Sequence, residues 1–419
     1  MRRLALFSAC ALAAGTARAE PVVQSEHAND QFGTAVVIEG DRMVVGAPGA
    51  NDGAFDAGAV HVFGRDGGEW RREAVLTADE PVPHGAFGGF LALRGDVLAI
   101  GAPMQSGHEM KERHGTSYIF ERVEGAWEQR LALRLEDVDA DTFGVGVAIG
   151  VERAAFSAVS RRRDETRLSG VVVVVVRDGD GWREEARLED GAYPAFGLTL
   201  AMDDEHLIVS DGTGAALAYR REGAQWVGGE ALALPADAKL GLPTVRLSGA
   251  WLVLGAGYAS PLYFFRRTGT TWEPTQVLDL GVPRLFAALA LDGGRAAAGV
   301  DAGDMDMPYR HEVVVLERAG DRWEVSARVS GSNEPGTAFG EALSLSAGRL
   351  AVADPDAGAF AGQRVGEVRI YAGPTWSEDA VVSPDSIDDA GCGCRSREGS
   401  LAGLGWLVLL GWRRRRCAE

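Results

Sequence analysis

The part of the sequence that must fold contains no cysteine. The four cysteines of the chain are Cys10, Cys392, Cys394 and Cys417, so none lies between residues 11 and 391. Disulfides and thiolate metal sites are therefore excluded for that stretch. A hydrophobic core must hold it together instead.

Long hydrophobic runs and positive charge are also scarce. The apolar stretch Leu401–Trp412 is shorter than the about 20 residues that a spanning helix needs. The formal charge of −18 becomes −25 for residues 20–391, once the three arginines of residues 1–19 and the net +4 of residues 392–419 are set aside. A body this acidic repels phosphate backbones, so we expect no nucleic-acid partner.

The first residues are typical of an export signal. Residues 1–19 begin with two arginines, continue through a short apolar run and end in the small residues Ala17 and Ala19. We expect cleavage after Ala19. A lipoprotein cysteine at Cys10 is the alternative, although the residues before it lack the usual leucine.

The last residues, 392–419, combine a cysteine pair with a short apolar run and four consecutive arginines. This arrangement resembles the myxobacterial C-terminal sorting tag. The resemblance implies that Cys392 or Cys394 becomes the end held at the cell surface. A plain membrane anchor with its arginines in the cytoplasm is the alternative. Both interpretations predict envelope association, with residues 384–391 as an acidic spacer.

One phrase recurs along the chain. Residues 32–48 read FGTAVVIEGDRMVVGAP and residues 87–103 read FGGFLALRGDVLAIGAP. Phe-Gly or a relic of it occurs seven times, at Phe32-Gly33, Phe87-Gly88, Phe143-Gly144, Phe196-Gly197, Leu240-Gly241, Phe286-Ala287 and Phe339-Gly340. A tryptophan follows each copy, at Trp70, Trp127, Trp182, Trp226, Trp272, Trp323 and Trp376. A repeat of about 50 residues indicates a propeller or a solenoid.

Each copy contains four short apolar runs separated by Gly-Asp or Asp-Gly turns, which indicates strands joined by hairpins. The first run is built from small side chains and suits an innermost strand, whereas the fourth alternates charged and apolar residues and suits an outer strand. The repeat predicts an all-β fold, a seven-bladed β-propeller of four-stranded antiparallel blades over residues 20–383. We expect the phenylalanines to pack between neighbouring blades and the glycines to allow close backbone approach.

Two segments are candidates for the outer strand that closes the ring. Val22-Val23-Gln24 and Val381-Val382-Ser383 both align with Val75-Leu76-Thr77 of the first blade. We favour the C-terminal segment.

Each copy has the same order of short motifs, and this order resembles the FG-GAP family, in particular its bacterial form with a tryptophan in the fourth strand. The motifs are FG, then GDxxVVGAP, then VF and then W. The resemblance covers roughly residues 22–382, and only the first two copies keep Gly-Ala-Pro. The family includes the integrin α-subunit head, whose blades carry an acidic calcium loop in the first hairpin. Here that hairpin reads GDR, GDV or GAW, so the resemblance implies a propeller without those calcium sites.

Several motifs have ordinary structural explanations. Arg94-Gly95-Asp96 matches an adhesion tripeptide, but it aligns with the hairpin turn that every blade needs. The segment His108–His114 resembles a zinc-protease motif, but the residue four positions after its first histidine is Glu112. The sequence contains no G-x-S-x-G elbow, and we expect no catalytic residues.

One segment is a candidate calcium loop. Asp137, Asp139 and Asp141 have the one-three-five spacing of calcium ligands, but Thr142 replaces the required glycine and Ala148 the required glutamate. Asp301, Asp304 and Asp306 fit less well. We expect no cofactor and no metal site, with calcium at Asp137, Asp139 and Asp141 as the alternative.

These observations predict an exported, monomeric propeller at the cell surface or outer envelope that acts as a binding or adhesion module. Its expected ligand is a protein or a glycan. The alternatives are a hydrolase or lyase acting on extracellular polymer, and a structural surface protein. Ionisable side chains converging at one mouth of the channel would favour the enzyme.

Overall fold

The described part of the chain consists of twenty-eight β-strands in seven antiparallel sheets of four, with no helix. A computed structural model describes residues 29–103, 115–135, 142–160, 169–190, 195–235, 238, 243–256, 261–303, 310–331, 337–357, 366–373 and 376–382. The predicted fold class, a seven-bladed propeller of four-stranded blades, is confirmed.

Each blade is one continuous stretch of chain. Blade 1 is β1 (Ala35–Glu39), β2 (Arg42–Ala47), β3 (Ala59–Asp66) and β4 (Glu69–Leu76). Blade 2 is β5 (Phe90–Arg94), β6 (Val97–Ala102), β7 (Thr116–Val123) and β8 (Ala126–Leu133). Blade 3 is β9 (Gly146–Ile149), β10 (Arg153–Ser160), β11 (Ser169–Asp178) and β12 (Gly181–Glu189). Blade 4 is β13 (Leu200–Met202), β14 (His206–Ser210), β15 (Ala216–Glu222) and β16 (Gln225–Ala231).

The last three blades follow the same order. Blade 5 is β17 (Pro243–Ser248), β18 (Trp251–Ala256), β19 (Pro261–Thr268) and β20 (Thr271–Asp279). Blade 6 is β21 (Arg284–Asp292), β22 (Arg295–Asp301), β23 (His311–Ala319) and β24 (Arg322–Ser330). Blade 7 is β25 (Ala342–Ser346), β26 (Arg349–Asp354), β27 (Glu367–Ala372) and β28 (Ser377–Val382).

The first strand of every blade lies at the axis. Each of these strands contacts the first strand of the next blade, and β25 contacts β1, so the seven form a closed ring around a channel. The fourth strands lie outermost, and β4 alternates exposed and half-buried residues along most of its length. The small side chains of the first run and the alternation in the fourth are thus explained by position.

The hydrophobic cores lie between blades rather than within them. Seven clusters of buried residues each join two neighbouring blades, as where Phe196 packs with β10 and β11 on one side and β14 and β15 on the other. The predicted packing role is confirmed for the described members of the repeated pair, which are at most 2% exposed: Phe32, Phe87, Phe143, Phe196 and Phe339.

Blade 6 departs from the predicted alignment. The pairing of β21 with β22 is shifted between Leu285 and Leu289, and it places Leu285, not Phe286, at the phenylalanine position. Leu285 is 1% exposed in the core between blades 5 and 6, whereas Phe286 packs against the core between blades 6 and 7. The assignment of Phe286-Ala287 as the sixth Phe-Gly pair was wrong because strand register, not residue type, fixes the position. Leu240 lies outside the described residues.

The glycines of the repeated phrase allow contact between blade backbones. A Cβ atom on Gly46 would lie 2.0 Å from the carbonyl oxygen of Gly88 in the next blade, and Gly101 and Gly144 repeat this contact at 2.0 Å. Gly88 and Gly144 also have φ values of 90° and 101°, which side chains disfavour. The predicted close approach of backbones is therefore confirmed at these junctions.

The C-terminal segment supplies the closing strand. β28 pairs with β27, with Val382 opposite Val368, and completes blade 7. The alternative segment, residues 22–24, lies outside the described residues. Blade 7 then contacts blade 1 as blade 5 contacts blade 6: the N–H of Gly40 donates to Ser346 Oγ at 3.2 Å, as that of Gly293 donates to Ser248 Oγ at 3.0 Å. The ring closes by side-chain packing and hydrogen bonds between two complete blades.

Candidate functional site

The two ends of the channel differ in the loops that surround them. Because strands alternate in direction, the first and third connections of every blade lie on one side, which we call the hairpin face. The second connection and the link to the next blade lie on the opposite side, which we call the loop face. Between residues 29 and 382, most of the undescribed residues belong to connections of the loop face.

The hairpin-face mouth of the channel is lined by residues from all seven blades, around a cavity of about 280 Å³. A ring of seven aliphatic side chains lies inside it, one from each first strand: Ile38, Leu93, Ile149, Met202, Leu247, Leu291 and Leu345. Polar residues lie outside this ring, and five are ionisable: Glu39, Arg94, Asp203, Asp204 and Asp292. Five ionisable side chains thus converge at this mouth, which is the arrangement expected of an enzyme, so the partners of each side chain decide its role.

Most of the mouth carboxylates bind backbone N–H groups of a hairpin turn. Glu39 accepts a hydrogen bond from the N–H of Gly95 in blade 2, and Asp292 accepts one from Ala347 in blade 7. Asp204 reaches back to blade 3 and accepts from Val151 at 3.0 Å. Serine oxygens take the same role at two further junctions, Ser248 with Gly293 and Ser346 with Gly40. These contacts link neighbouring blades by their turns.

The remaining mouth carboxylate, Asp203, binds within its own blade. It accepts hydrogen bonds from the N–H of Glu205, the N–H of His206 and the His206 Nδ1 atom, at 2.7–3.0 Å. Burial opposes ionisation, but these hydrogen bonds lower the pKa of Asp203 overall. A general acid at neutral pH needs a raised pKa, so Asp203 does not fit that role.

The Arg-Gly-Asp tripeptide forms the predicted turn. Arg94 pairs with Val97 across the hairpin, and Gly95 has a φ of 58°. The Asp96 carboxylate accepts a hydrogen bond at 3.0 Å from Arg42 of blade 1, so it connects two blades. The tripeptide is therefore part of the ring of turn contacts.

The loop face of blade 7 carries a group of acidic side chains. Asp354, only 2% exposed, accepts a hydrogen bond from the N–H of Ala338 and pairs in the sheet with Glu367. Burial, with a contribution from Glu367, raises the pKa of Asp354 to about 6. Burial and the nearby carboxylates of Asp356 and Asp354 also raise the pKa of Glu341.

A basic groove of about 490 Å³ lies on the hairpin face between blades 4 and 5. Arg220, Arg221, Arg267 and His206 line it together with Glu205. Two of the arginines are neutralised nearby, because Arg220 pairs with Glu222 and Arg221 lies 3.5 Å from Glu185. The groove is therefore a mixed polar surface rather than a concentrated positive charge.

Several predicted site residues lie outside the described residues. These are Asp137, Asp139, Asp141, Asp304, Asp306, Ala19, Cys392, Cys394 and the segment His108–His114. Within the described ranges, no group of three or more His, Cys, Asp or Glu side chains is arranged to hold a metal ion. The same ranges contain no helix long and apolar enough to span a membrane.

Sequence reasoning missed the glycine that directly precedes the third strand. A Cβ on Gly58 would lie 2.3 Å from the carbonyl oxygen of Phe87, and one on Gly366 would lie 2.0 Å from that of Phe32. The absence of a side chain at this glycine therefore allows the backbone of the Phe-Gly pair of the next blade to pack against it. A signal was available, since a glycine precedes the third run in several copies.

The sequence matches one family model, described as FG-GAP repeat, over residues 25–63 and 70–120. The matched segments fall in blades 1 and 2, the two that keep Gly-Ala-Pro. No curated protein matches the chain.

Solved structures align with this chain at low sequence identity. A structure described as "a putative 6-phosphogluconolactonase" from Bacteroides uniformis aligns with a TM-score of 0.54 and 10% identity, over 83% of this chain and 96% of that one. Sqt1 of Saccharomyces cerevisiae aligns with a TM-score of 0.49 and 11% identity, over 85% of this chain and 86% of that one. At 10% identity, the similarity to the Bacteroides uniformis structure shows the fold alone. The protein is a seven-bladed β-propeller whose first two blades match FG-GAP repeats.

Proposed function

We propose that this propeller is exported and displayed at the cell surface, where it acts as a binding or adhesion module for a protein or a glycan. The observation that carries the binding role is the use of the mouth carboxylates. Glu39, Asp204 and Asp292 bind backbone N–H groups of neighbouring blades, so the ionisable side chains that converge there stabilise the ring. A rigid ring of this kind presents loops as a contact surface.

The proposed address is supported by the two ends of the sequence. Residues 1–19 have the pattern of a signal peptide, and residues 392–419 resemble a surface-sorting tag. A propeller body with a net charge of −25 is also suited to remain soluble outside the cell.

Fractionation of cells that make the full chain or a chain ending at residue 391 tests the address. The full chain is expected in the envelope fraction, and the truncated chain is expected as folded protein in the medium. A matched variant with both Cys392 and Cys394 replaced by serine separates processing at the cysteines from anchoring by the apolar run. Envelope retention of the truncated chain would contradict the proposal.

The binding role is tested with residues 20–389 as bait against extracellular protein extracts and a glycan array. An unrelated propeller of similar net charge serves as the control. Saturable capture of one protein or glycan class, absent from the control, is the expected result. Absence of any specific ligand would favour a structural surface protein.

A second candidate function rests on the loop-face acidic side chains. Asp354, whose pKa is raised to about 6, and Glu341, whose pKa is also raised, are candidates for proton transfer in a hydrolase or lyase acting on polymer. Incubation of the body with extracellular polysaccharides, followed by detection of new reducing ends, tests this activity. Product formation that is lost in Glu341→Gln would replace the binding proposal by an enzymatic one.

A further inference from the structure

Among the seven residues directly below the ring of aliphatic side chains, one is positively charged. Arg246 is the residue of β17 directly before Leu247, and it lies opposite Val253 of β18. The residues in register with it in the other blades are small or aliphatic: Val37, Ala92, Ala148, Ala201, Ala290 and Ser344. A space filled elsewhere by small side chains cannot hold a whole arginine side chain between the blades.

The guanidinium of Arg246 lies at the open edge of β17. It donates from Nη1 to the carbonyl oxygen of Val245 at 2.8 Å. Alternate residues of an edge strand point both backbone groups away from the sheet. The N–H of Ile38 does so in blade 1, since it bonds to Ser344 of blade 7. Val245 is two residues before the equivalent of Ile38 and so has the same orientation, towards the ring of first strands.

Arg246 has no carboxylate partner among the described residues. Its carbonyl contact with Val245 is its one hydrogen bond in those ranges, and no ion pair involves it. Burial lowers the pKa of Arg246 to about 10, so it remains positively charged at neutral pH. The Arg246 side chain is half-buried, and a partly desolvated charge without a counter-charge is stabilised when a group of opposite charge pairs with it.

We propose that Arg246 forms an anion-binding site in the central channel, and that its ligand is a small oxyanion, either a carboxylate or a phosphate. The planar guanidinium presents parallel N–H groups that match two oxygens of such a group. The cavity of about 280 Å³ at the hairpin-face mouth is lined by Leu247, the residue after Arg246, and not by Arg246 itself; it is large enough to admit an ion of this size on the way to the guanidinium.

The mouth carboxylates do not prevent such binding. All four mouth carboxylates are engaged with backbone N–H groups, Glu39, Asp204 and Asp292 across blades and Asp203 within blade 4, and their charge is screened by salt over about 8–10 Å. Direct contact with a guanidinium acts at hydrogen-bond distance, where screening is weak. The site is independent of the surface-binding function, because it lies inside the ring and not on its loops.

Isothermal titration of the purified body tests the site. Inorganic phosphate and acetate are titrated separately, with about 0.15 M sodium chloride throughout to hold screening constant. Saturable one-site binding is expected for at least one of them, and their relative affinity distinguishes phosphate from carboxylate. Arg246→Met keeps the length of the side chain without its charge, and we expect it to weaken binding at least tenfold. Arg94→Gln, at the mouth, is the matched control and is expected to bind as the wild type does.

The stability of the variants without added oxyanion gives a second readout. Because alanine or serine occupies this level in five other blades, Arg246→Met and Arg246→Ala are expected to unfold at or above the wild-type denaturant midpoint. A clearly lower midpoint would show that the guanidinium has a structural partner, which would overturn the proposal. Equal oxyanion binding by Arg246→Met and wild type, or no saturable binding by wild type, would also overturn it.

Discussion

At the scale of the residue, the repeated phenylalanine stabilises a junction between blades. Phe196 is fully buried and lies edge-to-face against Tyr219 at a centroid distance of 6.3 Å. Its side chain is in van der Waals contact with strands of two blades, so its removal leaves a cavity that neither blade can fill.

Phe196→Ala is expected to lower the free energy of unfolding by about 3–5 kcal/mol. Arg94→Ala and Asp96→Ala serve as comparisons, and each is expected to change it by less than about 1 kcal/mol, since exposed ion pairs contribute little. Denaturant midpoints of the three purified variants measure the difference, and cell adhesion is a second readout. Equal midpoints for Phe196→Ala and wild type would refute the packing role. Loss of adhesion in Asp96→Ala alone would instead support recognition of the Arg-Gly-Asp turn.

The glycine of Gly-Ala-Pro allows a specific prediction. Gly46→Ala would place a methyl group 2.0 Å from the backbone carbonyl oxygen of Gly88, and a rigid backbone cannot give way cheaply. We expect a loss of about 1–3 kcal/mol in the free energy of unfolding. Gly181→Ala is the control, because its new methyl group would meet nothing closer than 3.9 Å, and it should stay within about 0.5 kcal/mol. Similar denaturant midpoints for the two variants would contradict the close-approach interpretation.

At the scale of the element, two buried ionisable groups on different strands have opposite effects on how the stability of the fold depends on pH. Burial lowers the pKa of His61 on β3 to about 4, with a smaller contribution from Arg72, and its Nδ1 atom has no hydrogen-bond partner. Its unfolded form takes up a proton below about pH 6.5, so it makes the fold less stable as the pH falls towards 4. Asp354 on β26 has a raised pKa, so it makes the fold less stable as the pH rises from 4 to 6.

The two effects offset one another in the wild-type protein between about pH 4 and 6. Relative to the wild type, Asp354→Asn is expected to gain free energy of unfolding as the pH rises, because the wild-type carboxyl group becomes destabilising there. His61→Phe is expected to gain free energy of unfolding as the pH falls. Neither difference should change by more than about 1.4 kcal/mol per pH unit. Urea unfolding at several pH values measures these slopes. Parallel pH profiles for the variants and the wild type would show that neither group is perturbed as described.

The element scale also shows how much the sequence can predict. Strand number, blade order and the closing strand follow from a repeat whose hydrophobic pattern and turns agree in every copy. The prediction for the sixth copy was wrong because Phe286 lies one position after the phenylalanine position of the repeat. Only the pairing of β21 with β22 reveals the shift. The turn contacts of Glu39 and Asp292 were missed because they join residues more than fifty positions apart. Arg246 was missed because one charged residue in an apolar run gives no periodic signal.

At the scale of the whole molecule, we expect the ring to close without a metal ion. The described junctions are held by buried side chains, by backbone contacts and by hydrogen bonds between turns. The candidate loop of Asp137, Asp139 and Asp141 lacks two ligand positions of a calcium loop.

Chelation is therefore expected to leave the thermal midpoint nearly unchanged. A metal bound only to the folded state would raise the midpoint as its concentration increases. Thermal unfolding with a chelator and with millimolar calcium tests this, with magnesium as the control. A rise of more than a few degrees with calcium alone would show an occupied site.

The junction between blades 7 and 1, where the ring closes, uses the same kinds of interaction as the junctions between blades that follow each other in the chain. Each blade is a continuous stretch, and Ile38 and Gly40 bond to serines of blade 7 with no strand exchanged at this junction among the described residues. The position of the chain ends is thus arbitrary with respect to the fold. A circularly permuted chain, opened at any link between blades and joined by a linker from residue 382 to residue 29, should assemble the same ring.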